Sequence, residues 1–304
     1  MALHVDPHWP RASEWLTGRH VDDPQRSLGL IGVPMNKSIT PGHCDQAPAA
    51  VRAAMQRLGT WTGHPSGDVL DVALKDYGDL KFAYDDPESA DAPLAELLQS
   101  AMLNHDAIAL LGGDNGVTRP GVLGLGVPLE DVGLITLDAH FDLRTLENGL
   151  HNGNPIRALL ESGLPGQNII QIGIAPFANS SDYAEVAKTA GIRVHTLHTV
   201  EDMGFVPVLT AALFELSLRC SVIYVDCDVD VLDRAFAPAC PGARPGGITP
   251  RELQQGLYAC GRSTFVKVVD FVEVDPTKDI NDATALVTGQ LLLSFAAGLL
   301  RRGT

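Results

Sequence analysis

The chain has 304 residues, of which 45% are hydrophobic and 19% charged, a composition typical of a globular protein and far from that of a disordered one. The formal net charge of −15 argues against a nucleic acid or an anionic membrane as partner, because such partners bind a basic protein face. It favours a cationic or zwitterionic small molecule, unless the acidity serves only solubility.

Short apolar runs rich in β-branched residues alternate along the chain with segments of helical character. In chain order we predict a strand at 28–34, helices at 47–58 and 91–103, strands at 106–114 and 131–140, a helix at 156–163, a strand at 168–174, a helix at 183–190, a strand at 191–197, a helix at 206–218, a strand at 221–230, a helix at 249–261, a strand at 266–275 and a terminal helix at 285–300. This alternation predicts an α/β fold with three layers, α/β/α, around a central, mostly parallel sheet. We expect one domain over 1–304, with an N-terminal extension at 1–25.

Four of the predicted strands end in acidic or polar residues. The endings read ALLGGDN, LITLDAHFD, VIYVDCDVD and VVDFVEVD. In open parallel sheets the ligand crevice lies beyond the carboxyl ends of the strands. We therefore expect these four endings to converge on one site.

Two of these endings place metal-competent side chains at every second position, and therefore on one face of an extended segment. They are Asp138, His140 and Asp142 in the first ending, and Asp226, Asp228 and Asp230 in the second. So many carboxylates cannot be buried together without a compensating cation. Carboxylates with one imidazole and no thiolate favour Mn²⁺ over structural zinc, and two ions could activate a water molecule for attack on an electrophilic carbon.

Four motifs in the same order along the chain resemble those of the ureohydrolase family, which includes arginases, agmatinases, guanidino-acid hydrolases and formimidoylglutamases. GGDNGVTRP resembles the family's GGDHS, DAHFD its D-A-H-x-D, DCDVDVLDRAFAP its S-x-D-x-D-x-L-D-P…AP, and VEVDP its EVNP. The resemblance extends from about residue 28 to the C-terminus. It implies the arginase-like form of the three-layer fold and an assembly of three or six identical chains.

The resemblance also implies a site with two Mn²⁺ ions. Its metal ligands would be Asp138, His140, Asp142, Asp228 and Asp230. Asp226 stands where relatives have serine, and we expect it, like Asp114, to support the ligands rather than bind metal. Glu273 matches the acidic residue that holds the cationic group of the substrate.

Two departures from the family motifs change histidines. The first histidine ligand is replaced by Asn115, whose amide oxygen is a weaker donor, so we expect one metal position to bind weakly. The H-G-x-P loop reads HNGNP, with Asn152 in place of the proton-transferring histidine and His151 one residue earlier. We expect His151 or Asp142 to transfer the proton, and Asn152 and Asn154 to contact the substrate.

The formimidoylglutamase subgroup shares two features with this chain: an arginine after the D-A-H-F-D cluster, and the lack of histidine in the H-G-T-P loop. The arginine is Arg144, which we expect to bind a substrate carboxylate through two parallel hydrogen bonds. Arg157 and Arg244 are weaker candidates for the same role. The predicted substrate is N-formimidoyl-L-glutamate.

Two alternatives remain open at the level of sequence. The chain could be an agmatinase or guanidino-acid hydrolase that releases urea, because substrate choice in this family depends on loops. It could also be a metal-poor, non-catalytic subunit, since both Asn115 and Asn152 replace histidines.

Five cysteines without a C-x-x-C pair suit reduced thiols, and the N-terminal residues lack the apolar stretch of a signal peptide. The longest apolar run, at 285–300, is short and interrupted by Gln290, so we expect a packed helix rather than a membrane span. The expected location is cytoplasmic.

Overall fold

A single sheet of eight strands forms the centre of the computed structural model, which describes residues 6–63 and 67–303. The strands are β1 (Arg26–Val33), β2 (Val72–Asp79), β3 (Ala107–Gly112), β4 (Val132–Leu137), β5 (Ile169–Ile174), β6 (Arg193–Thr196), β7 (Val222–Asp228) and β8 (Val266–Val272). Their spatial order is β2-β1-β3-β8-β7-β4-β5-β6, and all neighbours are parallel. The predicted α/β class with a parallel sheet is confirmed.

Helices cover both faces of this sheet. They are α1 (Ala12–Leu16), α2 (Ala47–Ala54), α3 (Asp91–Met102), α4 (Thr118–Leu123), α5 (Pro155–Glu161), α6 (Ser181–Ala190), α7 (Leu197–Met203), α8 (Phe205–Ser217), α9 (Pro250–Arg262) and α10 (Ala283–Leu299). Alternate strand residues supply two cores: Ile135 and Leu137 of β4 pack with α8, α9 and α10, whereas Val132 and Leu134 pack with α3, α4 and α5. Among the described residues, no helix combines the length and apolarity needed to cross a bilayer.

The structure adds elements that the apolar pattern did not predict. Strand β2 is buried only at Val72 and Leu74 and is otherwise mostly polar, because it lies at the edge of the sheet. Helices α1, α4 and α7 are short. In the predicted N-terminal extension, Trp15 is fully buried and its indole N–H donates to the carbonyl of Val72 on β2 at 2.8 Å. The described part of the extension is therefore packed against the edge strand. Residues 1–5, 64–66 and 304 lie outside the described residues. The assignment of one domain over 1–304 stays a prediction.

Four adjacent central strands bring the expected polar endings together. Strands β3, β8, β7 and β4 are neighbours in the sheet, and all run in the same direction. Their carboxyl ends are followed by the segments that contain Asn115, Glu273, Asp230 and Asp138. The convergence expected from the strand-end rule therefore occurs at the centre of the sheet.

At the opposite end of the sheet, Arg302 holds three segments together. Its buried guanidinium donates to the carbonyls of Gly261 at 2.9 Å, Asp106 at 2.6 Å and Val266 at 2.9 Å. We expect Arg302→Met to lower the free energy of unfolding by about 3 kcal/mol, because three carbonyls lose a charged donor. Urea denaturation measures this, with Arg251→Met on the exposed first turn of α9 as control. Equal losses in the two variants would contradict the prediction.

Candidate metal centre

Three of the predicted ligands form one tight group at the centre of the sheet. Asp138 and His140 directly follow β4, Asp230 follows β7, and one ligand atom of each lies within 4.8 Å of the others. The Nδ1 atom of His140 is 2.8 Å from Oδ2 of Asp230 and 3.5 Å from Oδ1 of Asp138. The two acidic segments predicted from the sequence thus meet around a single imidazole.

Backbone amides fix the orientation of these carboxylates. Oδ1 of Asp230 accepts a hydrogen bond from the amide of Ala139 at 3.1 Å, and Oδ1 of Asp138 accepts one from the amide of His140 at 2.6 Å. Asp228 accepts a bond from the amide of Asp230 at 2.8 Å. The backbone amides of the two segments therefore orient carboxylates of the same segment, as for Asp138 and Asp228, or of the other segment, as for Asp230.

A cavity of about 390 Å³ opens above this group. Its lining contains most of the predicted site residues: Asn115, His140, Asp142, Arg144, Asn152, Asp228, Asp230, Arg244 and Glu273. Gly242 in the same wall must lack a side chain, because a Cβ there would lie 2.1 Å from Oδ2 of Asp230. One cavity thus combines two members of the ligand group, His140 and Asp230, with two arginines.

Four predicted site residues are not part of the lining: Asp138, which belongs to the ligand group, and His151, Asn154 and Arg157. His151 accepts a hydrogen bond at Nδ1 from the amide of Gly153 at 3.1 Å. The buried Asn154 donates to the carbonyls of the loop that it closes, and Arg157 donates to the carbonyl of Leu143 at 3.2 Å. The side chains of His151, Asn154 and Arg157 thus bond to backbone groups of the loops around the cavity and support those loops.

Asn115 lines the cavity, but its amide group is engaged by neighbouring residues. Its Nδ2 donates to Asp142, and its Oδ1 accepts from the hydroxyl of Thr118 at 2.9 Å. Its backbone amide donates to Oε1 of Glu273 at 2.8 Å, and Asn152 donates to the same oxygen at 2.9 Å. Asn115 therefore bonds to the carboxylates of both Glu273 and Asp142, and Asn152 bonds to that of Glu273.

The two carboxylates expected to support the ligands, Asp114 and Asp226, are fully buried. Asp114 accepts hydrogen bonds from the amide of Gly116 at 2.9 Å and from the hydroxyl of Ser38 at 3.2 Å. Asp226 on β7 is paired in register with Asp270 on β8. Asp270 accepts a hydrogen bond from the hydroxyl of Tyr224 at 2.6 Å. The sequence pattern did not predict this residue, although a lone aspartate within the apolar run VKVVDFV is a recognisable signal.

The pKa values in the group reflect buried negative charge. Burial, together with the charge of Asp230, raises the pKa of Asp138 to about 7. The carboxylate of Asp230 raises the pKa of His140 to about 12, because the imidazolium is stabilised by the nearby negative charge. Burial and then Asp114 raise the pKa of Glu273 to about 8. Without a metal ion, protons therefore neutralise much of this cluster.

The donor set fits a hard or borderline divalent cation. Asp138 and Asp230 are almost fully buried, and Oδ2 of Asp138 is buried without a hydrogen-bond partner. A lone carboxylate oxygen in such a position favours a cation, and carboxylates with one imidazole suit Mn²⁺. A metal ion would displace the protons that these groups hold in its absence.

These raised pKa values predict how the stability of the metal-free protein depends on pH. Because the pKa values of Asp138, His140 and Glu273 are raised by folding, the folded state holds more protons than the unfolded chain. Stability should therefore fall between pH 5 and 8, by about 1.4 kcal/mol per pH unit for each extra proton held. The melting temperature of chelator-treated protein measures this, and Mn²⁺ should raise it more at pH 8 than at pH 5. A melting temperature that rises with pH would contradict the prediction.

Comparisons with known proteins agree with this architecture. The sequence model of the arginase family matches residues 26–298. A formimidoylglutamase of Halalkalibacterium halodurans is 35% identical over 306 residues, covering 98% of this chain and 94% of that protein. The crystal structure of formimidoylglutamase from Bacillus subtilis has a TM-score of 0.91 at 27% identity, covering 100% of this chain and 96% of that one. A Trypanosoma cruzi formiminoglutamase solved with Mn²⁺ has a TM-score of 0.85 at 22% identity, covering 97% and 99% of the two chains, a likeness that bears on the fold alone.

Proposed function

The chain belongs to the arginase family, and from this premise we propose that it hydrolyses a C–N bond of a linear amidine. The substrate that fits the site best is N-formimidoyl-L-glutamate, which with one water molecule gives L-glutamate and formamide. One observation carries this proposal: a single cavity is lined by His140 and Asp230 of the metal-competent group and by Arg144 and Arg244. An acidic protein that binds a dicarboxylate needs local cations of this kind.

We propose that two Mn²⁺ ions bind in this cavity. The residues that would hold them are Asp138, His140, Asp142, Asp228 and Asp230, with Asn115 at a weaker position. When bound, such ions supply a water molecule that is nucleophilic near neutral pH and positive charge that offsets the carboxylates. The remaining steps fall to the side chains of this chain.

Glu273 is proposed to hold the cationic amidine. Both described bonds to its carboxylate, from Asn115 and Asn152, end on Oε1, so Oε2 can accept from the amidine nitrogens. Burial raises the pKa of Glu273, and a bound cation restores its ionised form because opposite charges stabilise each other. The same pairing stabilises the positive charge on the substrate as the reacting carbon becomes tetrahedral.

Asp142 is the proposed source of the proton for the departing nitrogen. In the metal-free protein, burial and then the charge of Asp138 raise the pKa of Asp142 well above its ordinary value. With metal bound, its carboxylate would take up the proton that the attacking water molecule releases. A protonated carboxyl in the cavity can act as a general acid. His151 stays the weaker candidate, because its ring lies outside the lining and burial lowers its pKa.

Arg144 and Arg244 are proposed to bind the two substrate carboxylates. The backbone amide of Arg144 donates to the carbonyl of Gly153 at 3.1 Å, and a Cβ on Gly153 would lie 2.9 Å from Cδ of Arg144. The glycine therefore leaves the space in which the arginine side chain lies. Arg244 donates to the carbonyl of Gly242 at 2.6 Å, beside the ligand group.

A product assay tests the proposed function. The Mn²⁺-loaded protein is incubated with formimidoylglutamate, agmatine, arginine and a guanidino acid, and both formamide and urea are measured. We expect formamide from formimidoylglutamate at the highest kcat/KM. Urea as the main product would instead assign the chain to guanidine hydrolysis, and the absence of both turnover and bound manganese would identify a non-catalytic relative.

The Asn115→His variant tests the weaker metal position. An imidazole is a stronger donor to Mn²⁺ than an amide oxygen, so we expect the variant to bind the more weakly held ion about tenfold more tightly. Titration calorimetry of the metal-free protein measures both affinities. Thr118→Val, which removes the hydroxyl that bonds to Asn115 and Asp270 and keeps the amide at position 115, is the control for local packing. Unchanged or weaker binding in Asn115→His would show that this residue does not face a metal position.

A further inference from the structure

Two exposed apolar side chains lie in the mostly polar lining of the cavity. Ile39 is 47% exposed and Phe177 is fully exposed, and both are lining residues. Isolated exposed apolar side chains are common on protein surfaces. These two differ because they share one cavity with the arginines proposed to bind carboxylates.

Phe177 also has a backbone conformation that is unusual for a bulky residue. Its φ of 62° is in the left-handed region, where a side chain crowds the backbone. Within the described ranges five non-glycine residues have positive φ, and three of them, Asp142, Phe177 and Glu273, line the cavity. The other two are an asparagine and an aspartate, which tolerate this region. Strain of this kind persists where the surrounding contacts impose it, and it is concentrated at functional sites.

The contacts that impose it come from the metal-ligand segment. Asn179 donates to the carbonyls of Ala139 at 2.8 Å and Ala175 at 3.2 Å, and its Oδ1 accepts from the amide of Phe141 at 3.0 Å. The amide of Ala175 donates to the carbonyl of Ala139 at 2.9 Å. The turn that carries Phe177 is thus tied on both sides to residues between Asp138 and Asp142, and its position relative to the ligand group is fixed.

We propose that Phe177 is a specificity-determining residue that contacts the methylene chain of the bound substrate. This inference rests on the proposed function, since the glutamate chain has two methylene groups between its carboxylates. With the carboxylates on Arg144 and Arg244, the methylenes need an apolar surface, which the phenyl ring and Ile39 provide. Short amidines without a chain gain nothing from this contact.

Phe177→Ala tests the proposal by comparing two substrates. We expect KM for formimidoylglutamate to rise about tenfold with kcat within about twofold, because the lost contact is the same in the ground state and the transition state. The kcat/KM for formamidine, which has no chain, should not change. Phe177→Leu should retain most of the affinity, and Phe214→Ala, at an exposed phenylalanine of α8, should change neither substrate.

Two further measurements separate this role from a structural one. Phe177→Gly should lose the same affinity but raise the melting temperature, because glycine adopts positive φ freely. Binding of L-glutamate, followed by calorimetry on Mn²⁺-loaded protein, should weaken about tenfold in Phe177→Ala without any turnover. Unchanged KM and unchanged glutamate binding, or an equal loss with formamidine, would overturn the proposal.

Failure of the Phe177 proposal can be told apart from failure of the proposed function. Should urea from a guanidino acid be the main product of the wild-type protein, the assignment of formimidoylglutamate as the substrate fails. The Phe177 comparison then uses that guanidino acid against guanidine, and the same selective rise in KM for the chain-bearing substrate is required. Its absence there would overturn the role of Phe177.

Discussion

Asp230→Asn is expected to lower kcat/KM by about 10³-fold and to leave the protein depleted of manganese, because loss of an ionised ligand removes several kcal/mol of metal-dependent stabilisation. Oδ2 of Asp230 lies 2.8 Å from the ring of His140, and Oδ1 accepts a bond from the amide of Ala139. Asparagine preserves the shape but has no negative charge. Metal analysis after Mn²⁺ loading and steady-state kinetics measure the two effects.

Asp233→Asn is the matched control for this change. Asp233 follows the same strand, but its carboxylate accepts from the amides of Ala235 at 2.7 Å and Gly246 at 2.6 Å, and it is not a lining residue of the cavity. We expect normal metal content and activity in this variant. Full metal content and activity in Asp230→Asn would disprove the metal centre, since Asp230 connects its two segments.

Arg144→Ala is expected to raise KM for formimidoylglutamate about 100-fold or more, because a bidentate, charge-assisted pair contributes about 3 kcal/mol or more. The kcat for formamidine should remain within about twofold, since that substrate has no carboxylate for the arginine to bind. Kinetics with the two substrates separate lost carboxylate binding from damage to the metal centre.

Three other arginine variants locate this effect. Arg144→Lys keeps the charge but loses the fork of donors, so an intermediate KM is expected. Arg244→Ala should also raise KM only for the carboxylate substrate, but by a smaller factor. Arg193→Ala removes a surface ion pair with Glu215 and should leave KM unchanged. An unchanged kcat/KM for formimidoylglutamate in Arg144→Ala would show that the carboxylate is bound elsewhere.

Most of the sheet could be predicted because its central strands are apolar on both faces. Strands β3, β4 and β5 are buried at every position, so their sequences are distinct from the amphipathic helices between them. Edge strand β2 lacks that signal, because only Val72 and Leu74 are buried and Asp76 forms an ion pair with Arg52. Its place depends on contacts with residues far away in the chain.

The sequence by itself determined that acidic side chains follow several strands at alternate positions, because the local period of a strand and the strand-end rule need no partner segment. Only the tertiary structure decided which groups meet. It brings Asp138, His140 and Asp230 together, includes Arg144 and Arg244 in the cavity lining, and leaves Arg157 on a backbone carbonyl. The physical reason is range: periodicity is a property of neighbouring residues, whereas convergence, burial and the raised pKa values depend on packing between segments distant in sequence.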